Sequence, residues 1–282
     1  MESFLLAVNA SVCWGVSDFL GGLKTRAVPV FRVLAISQLA GLALITVAVT
    51  GWGHGLPGGS HAWLAVAAGV CSVAALGLIY EAMARETMIV VIPLAATGSI
   101  IPVAVGLAGG DAVTPAAMAG IVLALAGAPV AAWEPGGDRR AGRGLLGAAL
   151  AVAAGASAGL WFTLMNLASE GDPLGATEVM RLTSCVIAVL LFGLHRRGSR
   201  SPSGLTRATY LAIAAIGVTD ALAEICFTWA STSGQLAVIS PLSSLYPVIT
   251  VLLATAALRE RVHPVQALGA ACALTGAVLL AL

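Results

Sequence analysis

Gln235 to Leu282 reads Q-L-A-V-I-S-P-L-S-S-L-Y-P-V-I-T-V-L-L-A-T-A-A-L, then a polar break R-E-R-V-H-P, then V-Q-A-L-G-A-A-C-A-L-T-G-A-V-L-L-A-L. Each apolar run is long enough to cross a hydrocarbon core about 30 Å thick as a helix, which takes about 20 residues. A similar unit stands earlier, from Met88 to Trp133: two apolar runs, a short break carrying Asp111, and then Thr114-Pro115. In the later copy Glu260 and His263-Pro264 hold those places, and Gly120 and Gly127 answer Gly269 and Gly276 at one constant offset. A chain that repeats its most hydrophobic unit half a length later reads as two copies of one module.

Composition agrees with a membrane solvent. Of the 282 residues 59% are hydrophobic and 10% charged, and the mean hydropathy is +0.98. Soluble domains carry about 25% charged residues. The net charge of +1 and the lack of a basic cluster interleaved with aromatics argue against a nucleic-acid partner. Cys13, Cys71, Cys185, Cys226 and Cys272 all fall in apolar runs without C-x-x-C spacing. They read as small buried hydrophobes, not disulfides or metal ligands. The first apolar run has Glu2 in place of a basic leading segment, so it is expected to be a retained span.

The pattern predicts ten spans: 4–20, 28–50, 62–83, 88–108, 115–132, 144–168, 174–194, 208–231, 235–258 and 264–282. Pro93 and Pro102 fall inside the fourth, Pro241 and Pro247 inside the ninth. A proline removes a backbone hydrogen bond and kinks the helix, which a membrane tolerates where neighbouring groups satisfy the freed carbonyls. Thr97, Ser99, Ser240, Ser243 and Ser244 are expected to do so.

Lys24, Arg26, Arg32, Arg85, Arg139, Arg140, Arg143, Arg196, Arg197, Arg200, Arg207, Arg259 and Arg261 all lie on or beside odd-numbered loops, and the even loops carry acids such as Asp111, Glu170 and Asp172. Positive residues near span ends stay cytoplasmic. The expectation is a multi-pass protein of the inner cell membrane with both termini extracytoplasmic. Five spans per module reverse direction on repetition, so residues 1–133 and 144–282, joined by a basic connecting loop 134–143, are expected to be inverted repeats. Trp14 answers Trp161, and Arg32 answers Arg181. Inverted repeats around a midplane site belong to secondary transporters working by alternating access.

These features resemble the EamA family of the drug/metabolite transporter superfamily, over nearly the whole chain. The residues that carry the likeness are a Trp in the first span of each half, an Arg early in the second, the proline-bearing run, and the Gly-rich last span (Pro241, Pro247, Leu258-Arg-Glu260, Gly269 and Gly276 in the second copy). The first copy departs in having Asp111, preceded by Gly109-Gly110, where such proteins more often show Glu. The resemblance implies a ten-helix all-α carrier for small metabolites or drugs, often an exporter. It also implies a central cavity lined largely by the third, fourth, eighth and ninth spans.

Candidate residues follow from depth and spacing. Asp220 and Glu224 are four apart on one face of the eighth span, with Asp220 near the midplane, where an acid usually faces a cavity, a partner or a proton path. They read either as a site for a proton or a cationic amine, or as a structural pair neutralised by Arg181. Arg181 reads as a carboxylate ligand or as a local pair with Glu178. Glu81 with Arg85, and Asp18 near Lys24, Arg26 and Arg32, read as interfacial pairs. Trp14, Tyr80, Trp161, Phe227, Trp229 and Tyr246 default to interfacial anchoring, with Phe227 and Tyr246 the better cavity candidates. The small residues Gly15, Gly69, Gly77 and Gly217 suit close helix packing. His54, His61, His195 and His263 are too scattered for a metal site, no cofactor is expected, and no H-E-x-x-H, Walker A or G-x-S-x-G occurs. The reading is a proton-coupled carrier of a small-molecule substrate, acting as a monomer in the lipid bilayer. The alternative is an intramembrane enzyme or a non-transporting membrane partner.

Overall fold

A computed structural model describes residues 2–86, 88–110, 114–131, 141–196, 205–258 and 264–279. Among them the chain is all helix: α1 (Glu2–Thr25), α2 (Val30–Trp52), α3 (Gly59–Met83), α4 (Met88–Ala96), a 3-10 turn (Thr97–Ser99), α5 (Ile100–Ala108), α6 (Pro115–Ala131), α7 (Ala141–Ala168), α8 (Pro173–Arg196), α9 (Arg207–Ser233), α10 (Leu236–Ser243), α11 (Tyr246–Leu258) and α12 (Pro264–Leu279). Among the described residues seven segments are long and apolar enough to cross a membrane, one of them 90–108, which runs through the turn between α4 and α5. The other three expected spans are shorter or broken: α6 has 17 residues, α12 has 16, and the ninth is divided into α10 and α11. The acidic breaks at Asp111 and Glu260, His263, and most of the connecting loop 134–143 lie outside the described residues.

Chain chemistry sets the ends. Pro173 opens α8, where the missing N–H costs nothing. Asp172 just before it accepts from the Gly175 backbone N–H at 2.9 Å and meets His54 Nδ1 at 3.1 Å. Thr206 caps α9 by accepting from Thr209 N. Gly53, at φ 72°, closes α2 and returns its N–H to Val49 O, a left-handed conformation that favours glycine.

The prolines of the fourth and ninth spans break the helix and do not merely bend it. Pro102 and Pro247 each fall in the first turn of the helix that restarts, α5 and α11, where a residue without an N–H is tolerated. The expected hydroxyls bond carbonyls in the same stretches, but not those four residues before a proline, which the prolines free. Thr97, Ser99, Ser240 and Ser244 bond the carbonyls of Leu94, Ala96, Leu236 and Ser240. Ser243 Oγ is buried with no partner among the described residues. The Gly98 carbonyl, which Pro102 deprives of its helical donor, faces Gly159 of α7: a Cβ there would lie 2.2 Å from it.

Packing runs between the halves of the chain. Helix α3 packs on α7, α1 on α9, α2 on α8 and α9, α3 on α8, and α6 on α12. The broken spans lean on the first helix of the other half: α4, its turn and α5 on α7, α10 and α11 on α1. Glycines set these approaches. A Cβ at Gly98 would sit 1.8 Å from Gly155 O, and one at Gly217 would sit 1.9 Å from Ser37 O. Gly77 has no such role, its nearest neighbour being Leu34 Cδ1 at an ordinary 3.6 Å. Gly120, Gly127, Gly269 and Gly276 are buried on the α6 and α12 pair. The perimeter is apolar: Val47, Trp63, Leu145, Leu190, Leu211 and Leu268 are exposed, the pattern of a bundle whose outer solvent is lipid. All five cysteines are free, and Cys185 alone of them is fully buried.

Candidate functional site

The densest polar cluster lies at mid-depth. Asp220 stands thirteen residues from either end of α9, and Glu224 is one turn on. Arg181 of α8 is completely buried. Its Nη1 donates to Asp220 Oδ2 and to Gln38 Oε1, both at 2.9 Å, and its Nη2 donates to Asp220 Oδ2 at 2.9 Å and to Glu224. Gly41 on α2 makes room for the guanidinium, since a Cβ there would come within 3.2 Å of Arg181 Cζ. A buried charge is tolerable only when paired and hydrogen-bonded, and two acids with an amide meet most of that need. Arg181 Nε and Gln38 Nε2 remain without partners among the described residues.

Beside this cluster opens a cavity with about 580 Å³ of empty space, its mouth included. Trp14 and Asp18 of α1, Ser72 and Ile79 of α3, Ala95 of α4, Ala158, Trp161 and Phe162 of α7, Asp220 and Glu224 of α9 and Tyr246 of α11 are among the residues that line it. The rings form one wall. Trp14 meets Trp161 and Phe162 edge-on at 5.5 Å and Tyr246 at 6.2 Å, and Phe227 backs them at 5.2 Å from Trp161 and 4.8 Å from Phe162. Wall and acids together make a mostly apolar pocket with a few fixed polar groups, the usual composition of a small-molecule site.

Of the α9 acids, Arg181 and the aromatics singled out in the sequence, Trp14, Trp161, Asp220, Glu224 and Tyr246 face this cavity. Arg181 lies behind the two acids, Phe227 behind the rings, and Tyr80 is buried against α1, where a Cβ at Gly21 would strike its ring.

Several expectations are corrected. Glu178 does not neutralise Arg181: it accepts from Thr46 Oγ1 at 2.7 Å, while Arg181 turns inward to α9, where two acids outcompete one. Asp18 is no interfacial pair; it is 6% exposed and faces the cavity. Its spacing from Trp14, one helical turn, was the available signal. Trp14, Trp161 and Tyr80 are not belt anchors: Trp14 and Trp161 line the cavity and Tyr80 packs against Gly21 of α1, while among the described residues Trp52 and Trp63 are the exposed tryptophans. Trp229 stacks on Trp52 at 5.5 Å. The cavity draws on the first and sixth spans as much as on those that the family likeness implied, since α1 and α7 supply its ring wall. Phe162 and Ser72 went unread, one hidden beside Trp161 and the other a lone serine in an apolar run. The Glu81–Arg85 pair is present near the end of α3. Among the described residues no group of His, Cys, Asp and Glu is placed to hold a metal.

Comparison with known proteins completes the picture. The model of the EamA-like transporter family matches residues 145–282. No curated protein matches the chain. Among solved structures, one crystal structure superposes over 99% of this chain and 98% of its own with a TM-score of 0.73 at 22% identity, a likeness of fold. Residues 145–282 carry the match to the EamA-like transporter family, and with its long apolar helices the chain is a multi-pass membrane protein.

Proposed function

We propose that this protein is a secondary transporter that carries small organic metabolites or drugs by alternating access, coupled to protons, through the cavity between its halves. The observation that carries the reading is the cavity itself: both halves wall it, and buried acids stand at its mid-depth. Its substrate- and proton-binding residues are Asp220, Glu224, Tyr246, Trp161 and Trp14, with Arg181, Phe227 and Tyr80 holding them.

The helix pairings support two inverted five-helix repeats, residues 1–133 and 144–282. Exchanging each of the first five spans for its counterpart in the second half turns the α1–α9 contact into α3–α7, and α2–α9 into α3–α8. It leaves α2–α8 and α6–α12 unchanged. Trp14 and Trp161, matched by sequence, touch across that relation. A bundle built of two like halves can rock between two states of similar energy, which alternating access requires. One chain then holds the whole pathway, both termini lie outside the inner cell membrane, and the bundle works as a carrier, not an enzyme.

The test is transport by the purified chain in proteoliposomes, with labelled solutes in counterflow and a pH-sensitive dye inside. Saturable uptake with a matching proton flux is expected for at least one class among amines, amino acids, sugars and nucleosides. If no class moves above protein-free liposomes, the reading fails.

A further inference from the structure

Asp18 is a buried carboxylate with nothing to hold it. It is 6% exposed, and among the described residues no Lys, Arg or His comes within ion-pair distance and no hydrogen bond reaches it. Its side chain lines the cavity one helical turn from Trp14. An unpaired ion in such surroundings costs several kcal/mol, so the folded protein is poised to take up a positive charge at this point.

The rest of the wall has the same sign. The charged side chains lining the cavity are Asp18, Asp220 and Glu224, all acids. Among the described residues the cation beside the cavity is Arg181, wholly buried behind Asp220 and Glu224 and bonded to both. It offers nothing to an anionic solute. In the same cavity, Trp14, Trp161 and Tyr246 present aromatic rings, which attract ammonium groups electrostatically when desolvated. A proton alone would neutralise Asp18 but would leave that wall without a role.

We infer that the cavity selects an organic cation, a compact ammonium compound whose charge rests on Asp18 and whose apolar body lies against Trp14, Trp161 and Tyr246. This rests on the reading of the cavity as the solute site, and it names the class of solute.

The experiment is equilibrium binding to the full chain in nanodiscs, read by the fluorescence of the cavity tryptophans and by thermal shift. The probes are benzyltrimethylammonium, whose charge is fixed, and neopentylbenzene, its neutral isostere. The cation is expected to bind at least about tenfold tighter than the isostere. Asp18→Asn is expected to weaken the cation by about tenfold or more and leave the isostere unchanged, while Asp18→Glu retains most of the preference. Equal binding of the two probes, no binding of the cation, or an unchanged cation affinity in Asp18→Asn overturns the inference. If Asp18→Asn does not fold, the comparison of the two probes on the unmodified protein decides alone. A cation that binds but is not carried into proteoliposomes defeats the transport reading and leaves this inference standing. Carriage of another solute without cation binding does the reverse.

Discussion

Arg181 and Asp220 meet across α8 and α9, with both terminal guanidinium nitrogens 2.9 Å from one carboxylate oxygen. Glu224 takes a further bond from Nη2, and Gln38 takes one from Nη1. The cluster ties α2, α8 and α9 together at mid-depth, beside the cavity that Asp220 and Glu224 line.

Arg181→Met is therefore expected to be severe. It leaves two acids unpaired in the interior, and breaking a buried pair from one side costs about 3–5 kcal/mol. Asp220→Asn leaves Arg181 its bonds to Glu224 and Gln38 and is expected to be milder. Unfolding of the detergent-solubilised proteins would show the difference. Equal losses in the two variants would mean that the cluster does not act as described.

The glycines give a contrast within one experiment. A Cβ at Gly217 would meet the backbone of Ser37 at 1.9 Å, and a backbone cannot rotate aside as a side chain can. Gly217→Ala should push α2 and α9 apart and cost about 1–3 kcal/mol or more. Gly77→Ala, with 3.6 Å of clearance, should stay within about 0.5 kcal/mol of the parent. Thermal midpoints followed by size-exclusion fluorescence would rank them, and a Gly77 variant as damaged as the Gly217 one would contradict this account of the packing.

What could be read from the sequence follows from how each signal is encoded. Span positions come from local composition, so the helices fall within a few residues of expectation. Trp14 and Trp161 added to the expectation of a repeat because each marks one place in the expected module. Pro102 and Pro247 revealed where the helices are disturbed, though not that the chain would stop and restart. The site was harder because it depends on rotation about helix axes. Asp18 has Lys24 and Arg26 close by in sequence, yet one face of α1 turns it into the cavity while the cations stay at the helix end. Glu178 is nearer to Arg181 along the chain than either acid on α9, but proximity along the chain does not decide which side chain shares its interior face. Periodicity could place Asp220 and Glu224 on one face of α9 and offer Arg181 as their counter-ion, which the structure shows; it could not say that Gln38 of α2 would share the guanidinium.

At the acidic end of the bundle, Asp172 has two tasks. Its carboxylate caps α8 through Gly175 N and holds His54 from the α2–α3 connection. Asp172→Ala is expected to cost about 1 kcal/mol, the usual worth of an N-cap. His54→Ala should cost less, since the cap survives it. Chemical unfolding of both variants checks the order, and the reverse order would show that His54 acts through contacts other than Asp172, against this account.

The two ends of the bundle differ in charge, and that difference predicts sidedness. The α1–α2 connection follows Lys24 and Arg26, with Ala27 exposed; the α2–α3 connection has His54 facing Asp172 and an exposed Leu56. Because basic loops are retained in the cytoplasm, Leu56→Cys should react with a membrane-impermeant maleimide added to intact cells, whereas Ala27→Cys should react only after permeabilisation. The five native cysteines lie within the apolar helices, and the parent protein measures their background. Leu56→Cys protected and Ala27→Cys labelled in intact cells would invert the topology. The acidic end of the bundle would then face the cytoplasm, and both termini would lie inside.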